Sequence, residues 1–252
     1  MLIKNILRVF TEHKDDYPSL TIVGVGPGDP SLLTIAAIDV IKKAKVIVFP
    51  ISDDNKKSFA AEIVKEHIKF KKNIPIIFPM ARQDCDPDEI WSNAVEKIVK
   101  FIKNGESVVF LCLGDTSLFA SSSNILRIIK HNYPEIITKI IPGISSLSAA
   151  AALNDFDLVK KGESLIIKEC PSSRSELTSL IRESRGNKTV LAIMKVGKRW
   201  NLVREILKKE DIINKSLIAL SVGMPDQIIQ YASHYKEDVM PYFSLILIRI
   251  DP

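Results

Sequence analysis

The sequence predicts an α/β fold of two domains, with a mainly parallel sheet in the first half and a mixed sheet in the second. In the first half, short apolar runs alternate with segments whose apolar residues recur at helical spacing. This alternation is typical of parallel strands joined by right-handed crossover helices. In the second half, the last two apolar runs have only a short connection, which favours antiparallel strands.

The elements of the first half follow one another from residue 20. Strands are expected at 20–26, 45–50, 74–80, 107–114 and 139–142. Helices are expected over 31–44 and 58–67, and a third from Asp86-Pro87, with Asp86 as N-cap, to Gly105 at its C-terminal end. The run 107–114 is apolar throughout, as expected for a strand that is covered on both faces.

The second half begins near residue 145, within a stretch of short side chains (142–153). Its expected strands are 163–170, 188–196, 216–223, 226–233 and 242–250, and its helices are 173–185 and 199–209. The last two strands are expected to pair with each other. The predicted organisation is an N-terminal extension (1–19) with a short amphipathic helix, an α/β domain (20–144) and a second α/β domain with a mixed sheet (145–252).

Composition excludes several classes of protein. The chain of 252 residues is 46% hydrophobic and 26% charged, which is typical of a globular protein. No apolar run approaches the ~20 residues of a membrane span. The cysteines (Cys85, Cys112 and Cys170) are odd in number without C-x-x-C spacing, and the four histidines are scattered, so neither disulfides nor a metal site is expected. We expect a cytoplasmic protein without a secretory signal.

The net charge of +5 is modest and spread along the chain. A basic balance suits either nucleic acid or a small acidic substrate. Because the sequence has no basic stripe interleaved with aromatic residues, we favour the acidic small molecule.

The first motif, Gly24-Val25-Gly26-Pro27-Gly28-Asp29-Pro30, ends the first expected strand. Its spacing, G-x-G-P-G-D, differs from the dinucleotide fingerprint G-x-G-x-x-G. Pro27 removes a backbone N–H that a phosphate cradle would use, and no acidic residue ends the next strand to hold a ribose. NAD and ATP binding are therefore excluded. The motif is then either a tight turn or a binding site for another kind of ligand.

Other motifs also follow expected strands, where open α/β sheets form their ligand crevices. Asp115, after Gly114, either caps the next helix or orients an amine or hydroxyl of a ligand. The segment 142–146 (Pro-Gly-Ile-Ser-Ser) either caps a helix or contacts a carboxylate. Met194 and Gly223 come at strand ends, where they either pack in the core or line a flat adenine ring.

In this order, the motifs resemble those of the tetrapyrrole methylase family over about Leu20 to Ile250. The resemblance implies two α/β domains with S-adenosylmethionine bent in the cleft between them, and usually a homodimer. It also implies which residues bind the cofactor, namely Pro27, Leu113, Gly114, Asp115, Leu118, Ser145, Ser146, Met194 and Gly223. The loop 113–118 would hold the methionine part of the cofactor, and Met194 and Gly223 would lie beside the adenine.

Within this family the chain is most similar to precorrin-2 C20-methyltransferases. Phe49-Pro50-Ile51 stands where uroporphyrinogen methylases have Tyr-Asp-Arg. The segments that resemble the C20 branch are 49–50, Phe78-Pro79-Met80, Trp91–Ala94 and Met194–Lys198. The chain departs from the frequent GDP-x-x-Y pattern, because it has Thr116 and Phe119. The implied reaction methylates C20 of precorrin-2 or cobalt-factor II in cobalamin biosynthesis.

The nucleophile implied by the resemblance is an electron-rich meso carbon, which needs positioning more than a dedicated base. Asp53 and Asp54 are candidate bases, although solvated loop acids explain them better. Basic residues could capture the substrate carboxylates or could be ordinary surface charges; they are Arg82, Lys195, Lys198 and Arg199.

Alternatives remain open at this point. Another member of the family would act on a different precorrin, on diphthine precursors or on ribosomal RNA. A protein of another class would bind the cofactor or a tetrapyrrole without turnover, as Thr116 and Phe119 allow. For the favoured interpretation we expect a tetrapyrrole substrate, and neither a metal cofactor, a nucleic acid nor a membrane as partner.

Overall fold

A computed structural model describes residues 18–52, 57–78 and 87–250, and their contacts divide the chain into two units, Met1–Ser145 and Ser146–Pro252. Several predicted features lie outside the described residues. They are the extension up to residue 17 with its amphipathic helix, Asp53, Asp54, Pro79, Met80, Arg82, Cys85 and Asp86.

The first unit contains a parallel sheet. Its strands are β1 (Ser19–Gly24), β2 (Val46–Ile51), β3 (Lys72–Ile77), β4 (Val108–Cys112) and β5 (Ile137–Ile141). They are arranged in the order β3-β2-β4-β1-β5, and every neighbouring pair is parallel. The carboxyl ends of β4, β1 and β5 therefore lie side by side at one edge. The predicted parallel sheet is confirmed.

The helices of the first unit connect these strands. They are α1 (Ile35–Lys43), α2 (Phe59–Ile63), α3 (Lys65–Ile68), α4 (Pro87–Lys103) and α5 (Ser122–Asn132). Helix α1 begins later than the sequence suggested, because Pro30 opens a short 3-10 turn and the Thr34 hydroxyl caps the helix, accepting from the Ala37 N–H at 3.1 Å. The single helix predicted over 58–67 is two helices, since the backbone at Val64 (φ −105°, ψ 13°) is not helical.

The sheet of the first unit is covered on both faces. Along β4, Val108 and Phe110 belong to a hydrophobic cluster with α4 and α5. Val109 and Leu111 belong to a second cluster with α1, α2 and α3. All of these side chains are buried. This arrangement explains why β4 is apolar without alternation, and it confirms the prediction for that strand.

The second unit contains a mixed sheet. Its elements are α6 (Ser146–Ala152), β6 (Ser164–Glu169), α7 (Arg174–Gly186), β7 (Thr189–Met194), α8 (Trp200–Lys209), β8 (Ser216–Leu220), β9 (Ile228–Tyr231) and β10 (Ser244–Arg249). The order is β6-β7-β10-β8-β9, with β6 and β7 parallel and the other pairs antiparallel. The predicted mixed sheet is confirmed.

The predicted pairing of the last two strands with each other is wrong. Strand β10 lies between β7 and β8, and β9 pairs with β8 at the edge. Burial gives the physical reason. Every residue of β10 up to Ile248 is buried, whereas Ile228 and Tyr231 at the ends of β9 are 41% and 45% exposed. A strand that is apolar on both faces gains most at the centre of a sheet.

Trp200 is the largest buried side chain in the core of the second unit. Its side chain is fully buried among residues of α7, α8 and the central strands. Its indole N–H donates to the Glu237 carbonyl at 2.9 Å, and its ring meets Tyr235 edge-on, with centroids 5.8 Å apart. A buried indole thus keeps its hydrogen bond while it fills the core.

Among the described residues, no helix combines the length and the apolar character needed to cross a membrane. The same part of the chain holds no group of histidine, cysteine or acidic side chains that could bind a metal ion.

Candidate functional site

In the first unit, the loops that follow β1 and β4 are joined by backbone hydrogen bonds. Gly114 and Gly26 form an antiparallel bridge, with the Gly114 N–H donating to Gly26 at 2.7 Å and the Gly26 N–H to Gly114 at 3.2 Å. The Val25 N–H donates to the Cys112 carbonyl at 2.9 Å. These bonds continue the sheet beyond its strands, so that the two loops form one surface.

The loop that follows β5 packs onto this surface through glycine. A Cβ added at Gly143 would lie 2.2 Å from the Gly114 carbonyl oxygen, and one added at Gly24 would lie 2.6 Å from the Gly143 nitrogen. Three backbones therefore meet where no side chain fits. Gly114 differs, because φ is 73° and an added Cβ would meet open space. Its freedom is needed for the turn, and the space above it is accessible.

Asp115 binds both sides of this junction. One carboxylate oxygen accepts from the Ser117 N–H at 2.8 Å and from the Ser117 hydroxyl, and the other accepts from the Gly143 N–H at 3.1 Å. Burial raises the pKa of Asp115, but hydrogen bonds from Ser117, and then from the backbones of Gly143 and Thr116, hold that pKa below its usual value. The carboxylate is charged at neutral pH. It does not cap the next helix, whose N-cap is Ser121.

The other residues predicted for this unit lie in the same loops. Pro27 is buried in the β1 loop, Leu113 and Leu118 are half-buried in the β4 loop, and Ser145 is half-buried after Gly143. Phe119 stands where the GDP-x-x-Y pattern has tyrosine. Its backbone is left-handed (φ 52°), and the residue is 45% exposed. The structure therefore brings the predicted residues of the first unit to one edge.

Beneath this edge, Cys112 ends β4 with its side chain buried. Burial raises the pKa of its thiol to about 11, against a smaller lowering by Ser122. A neutral buried thiol is a poor nucleophile, so Cys112 is a packing residue of the site and not a reactive group.

In the second unit, the loops after β7 and β8 are joined through the start of β10. The Gly197 N–H donates to the Ser244 hydroxyl at 2.9 Å, and the Ser221 N–H donates to the Phe243 carbonyl at 2.8 Å. Met194 ends β7 half-buried, and its carbonyl accepts from the Cys170 N–H at 2.8 Å. The bonds from Gly197 and Ser221 attach the two loops to the start of β10.

The loop around Gly223 is fixed by its own side chains. The Ser221 hydroxyl donates to Asp226 at 2.9 Å, and the Gly223 N–H donates to the Gln227 side-chain oxygen at 2.7 Å. Gly223 (φ 76°) and Ser221 (φ 47°) both have left-handed backbones. Met194 and Gly223 thus lie at the same edge of the sheet, while Ser146 is at the start of α6 in this unit.

The basic candidates have different surroundings. Lys195 (φ 56°) lies 3.6 Å from the Glu169 carboxylate. Lys198 is exposed and Arg199 half-buried, both in a short 3-10 turn after β7.

The aromatic residues that resembled the C20 branch have a structural role. Phe78 and Trp91 stack on each other, with ring centroids 4.1 Å apart and planes 28° apart. Both pack against the core of the first unit. Their contact explains why these residue types occur at both positions.

Sequence reasoning did not assign a role to Gly24, Gly143 or Ser244. Gly24 lies at the end of a strand and Gly143 follows one, which was a usable signal. Their mutual contact was not, because it joins residues more than a hundred positions apart in the chain. Nothing near Ser244 in the sequence indicated that its hydroxyl accepts from a loop.

Comparison with known proteins identifies relatives over most of the chain. The family model described as tetrapyrrole (corrin/porphyrin) methylases matches residues 19–233. A probable cobalt-precorrin-2 C(20)-methyltransferase of Methanocaldococcus jannaschii is 38% identical over 145 residues, which are 58% of this chain and 61% of that protein. The cobalt-precorrin-2 C(20)-methyltransferase of Salmonella typhimurium is 25% identical over 91% of this chain and 95% of its own length.

Solved structures agree with the fold. A cobalt-precorrin-4 methyltransferase superposes with a TM-score of 0.71, covering 96% of this chain and all of that chain, at 18% sequence identity.

Proposed function

This chain belongs to the tetrapyrrole (corrin/porphyrin) methylase family, and from that premise we propose that it methylates C20 of precorrin-2, in its cobalt-containing or its metal-free form, during cobalamin biosynthesis. The observation that carries this proposal is the similarity to relatives of that named activity, one of them over 91% of the chain. Both relatives are named for the cobalt-containing substrate, which favours that form here.

The methyl donor of the proposed reaction is S-adenosylmethionine. We propose that it is bound by Pro27, Leu113, Gly114, Asp115, Leu118 and Ser145 in the first unit and by Ser146, Met194 and Gly223 in the second. The loops of the first unit fit this role, because they lie at the carboxyl edge of a parallel sheet and leave open space above Gly114. When bound, the cofactor supplies an electrophilic methyl group on a sulfonium.

The chemical task of the protein is then mainly positioning. Methyl transfer requires an in-line approach of the carbon nucleophile, and correct orientation lowers a barrier by as much as ~7–11 kcal/mol. Loops fixed by backbone bonds, such as those at Gly26 and Gly114, are suited to that task because they lose little freedom on binding. The candidate bases Asp53 and Asp54 lie outside the described residues.

The substrate is proposed to be a small polycarboxylate. Lys198 and Arg199 follow a strand end in the second unit, where cationic side chains can meet carboxylates. We also propose, from the family resemblance, that the protein is a cytoplasmic homodimer without nucleic acid or membrane partners. The domain limits 20–144 and 145–252 remain part of this proposal.

Mass spectrometry of anaerobic reactions tests the function. Purified protein is incubated with S-adenosylmethionine and precorrin-2, with and without cobalt inserted, and the same mixtures without protein are the controls. The expected product carries one additional methyl group, and comparison of the two substrates identifies the accepted form. Binding of S-adenosylhomocysteine without product would indicate a different precorrin or a binding role. Absence of cofactor binding would contradict the proposal as a whole.

A further inference from the structure

The first residues of β10 contact the loops that follow both neighbouring strands. We infer that Ser244 is a positioning residue for the cofactor-binding loops proposed in the second unit, because its hydroxyl fixes the loop that follows Met194. Ser244 acts through Gly197 and not through a contact of its own with the cofactor. The inference rests on the proposed function for what this loop binds.

The loop after β7 begins with a strained backbone. Met194 is the last residue of β7, and the next residue, Lys195, has a left-handed backbone (φ 56°). A residue with a Cβ atom loses free energy in this conformation, which persists only where surrounding contacts enforce it. Contacts to the residues just after Lys195 must therefore offset that cost.

Ser244 makes two of these contacts. Its carbonyl accepts from the Val196 N–H at 3.4 Å, and its hydroxyl accepts from the Gly197 N–H at 2.9 Å. The Met240 N–H in turn donates to the Gly197 carbonyl at 3.4 Å. The bond to the hydroxyl is the shortest of the three, and it is the one that depends on a side chain. A substitution at Ser244 can therefore remove it alone.

The sheet holds Ser244 firmly in place. Ser244 pairs with Leu220 of β8, and the carbonyl of the preceding residue, Phe243, accepts from the Ser221 N–H at 2.8 Å. Ser244 is only 5% exposed, so it offers a ligand almost no surface of its own. Its position makes it a fixed support for the loop after β7, and an influence on binding must pass through Gly197.

The expected effect on binding follows from the strain at Lys195. Without the hydroxyl of Ser244, the Gly197 N–H loses its acceptor, and part of the molecules should relax to a right-handed backbone at Lys195. Only the molecules that keep the original turn then bind the cofactor well. The apparent Kd rises as this binding-competent fraction falls.

The first experiment measures binding of S-adenosylhomocysteine by calorimetry. Ser244→Ala should weaken binding about tenfold, since an amide left without its acceptor shifts the loop equilibrium by about that factor. Ser244→Thr keeps the hydroxyl and should restore most of the affinity.

Ser216→Ala is the matched control for the loss of a buried serine hydroxyl. Ser216 is fully buried in β8, and its hydroxyl donates to the Ile212 carbonyl at 2.8 Å. It pairs with Ile248, at the opposite end of β10 from Ser244. Ser216→Ala should therefore reduce stability but bind S-adenosylhomocysteine as wild type does.

The second experiment follows the loop and the reaction. In the ligand-free protein, the amide proton resonance of Gly197 should move upfield in Ser244→Ala and stay in place in Ser216→Ala. In the reaction with precorrin-2, Ser244→Ala should raise the KM for S-adenosylmethionine about tenfold and change kcat less than about threefold, because saturating cofactor selects the competent turn.

The outcomes separate positioning from a purely structural role. Equal weakening of binding by Ser244→Ala and Ser216→Ala would show an effect of stability alone and overturn the inference. Unchanged binding in Ser244→Ala, or an unmoved Gly197 resonance, would also overturn it. Should Ser244→Ala not fold, Ser244→Cys takes its place, because a thiol has similar size and is a weak acceptor. A wild-type protein that binds no S-adenosylhomocysteine would contradict the proposed function and leave the NMR result on Gly197 standing.

Discussion

The two units fix the loops at their sheet edges in different ways. In the first, the loops after three parallel strands meet backbone to backbone, and Gly24 and Gly143 provide the space. In the second, the loops after β7 and β8 are separated by the incoming β10, and Ser244 joins one of them by its hydroxyl. The difference follows from topology, because a parallel sheet gathers its loops at one edge, whereas a mixed sheet inserts a strand among them.

This difference predicts opposite sensitivities. The edge of the first unit should be most sensitive to atoms added at Gly24 or Gly143, and the edge of the second should be most sensitive to removed hydrogen bonds. Three substitutions or conditions test this contrast, in order of decreasing expected effect.

Gly143→Ala should have the largest effect. Its Cβ would lie 2.2 Å from the Gly114 carbonyl oxygen, and backbone atoms cannot rotate away as a side chain does. We expect a loss of about 3 kcal/mol or more in the free energy of unfolding, at the upper end of overpacking costs. Urea unfolding measures it. Gly186→Ala is the control, because an added Cβ there meets open space at the end of α7. Equal stability of the two variants would contradict the crowded junction.

Ser244→Ala should have an intermediate effect. It removes the acceptor of the Gly197 N–H, a bond of 2.9 Å made by a serine that is only 5% exposed. An unsatisfied N–H costs about 1–3 kcal/mol, which should appear in the same unfolding measurement. Ser92→Ala, which removes an exposed hydroxyl bonded to Asp88 at 2.8 Å, should change stability by less than about 0.5 kcal/mol. A Ser244→Ala protein as stable as wild type would show that water replaces the hydroxyl.

Asp115→Asn should have the smallest effect on stability, and that effect should depend on pH. Burial raises the pKa of Asp115, but the bonds from Ser117, Gly143 and Thr116 outweigh it and lower the pKa in the folded state. The stabilisation is therefore complete above the ordinary pKa of about 3.9 and is lost as pH falls through the lowered folded value. Since the group is partly exposed, we expect less than about 1 kcal/mol at pH 7.

Urea unfolding of wild type and Asp115→Asn at pH 7 and near pH 3 checks this sign. The difference between the two proteins should shrink at the lower pH, whereas that caused by Ser244→Ala should not change, since it involves no titrating group. A difference that grows in acid would mean that the folded state raises the pKa of Asp115.

The sequence was sufficient for the fold class and for most strands, because burial on both faces leaves a continuous apolar run, as in β4. It was insufficient where an outcome depends on distant partners. Strand β9 pairs with β8 because β10 fills the centre of the sheet. The spacing of apolar residues within a segment does not show which strands will pair. The break at Val64 was hidden for a similar reason, since its neighbours continue the apolar pattern of a helix.

The site shows the same division. Gly114, Asp115 and Met194 could be assigned to strand ends from their position after apolar runs, and the structure has them there. The use of Asp115 could not be assigned, because its partner Gly143 is 28 residues away in the chain. A capping role and a ligand-binding role were the interpretations that sequence allowed. The hydrogen bond from Gly143 shows that the carboxylate also joins two loops.

The central place of β10 also has a consequence for the order of events during synthesis. All strands of the first sheet have been synthesised once residue 141 is made, so that sheet can close while translation continues. The second sheet lacks its middle until residues 244–249 emerge. Until then β7 and β8 each present an unpaired apolar edge, the kind of surface that aggregates. Nascent chains stalled before residue 244 should therefore be the species that most need chaperones.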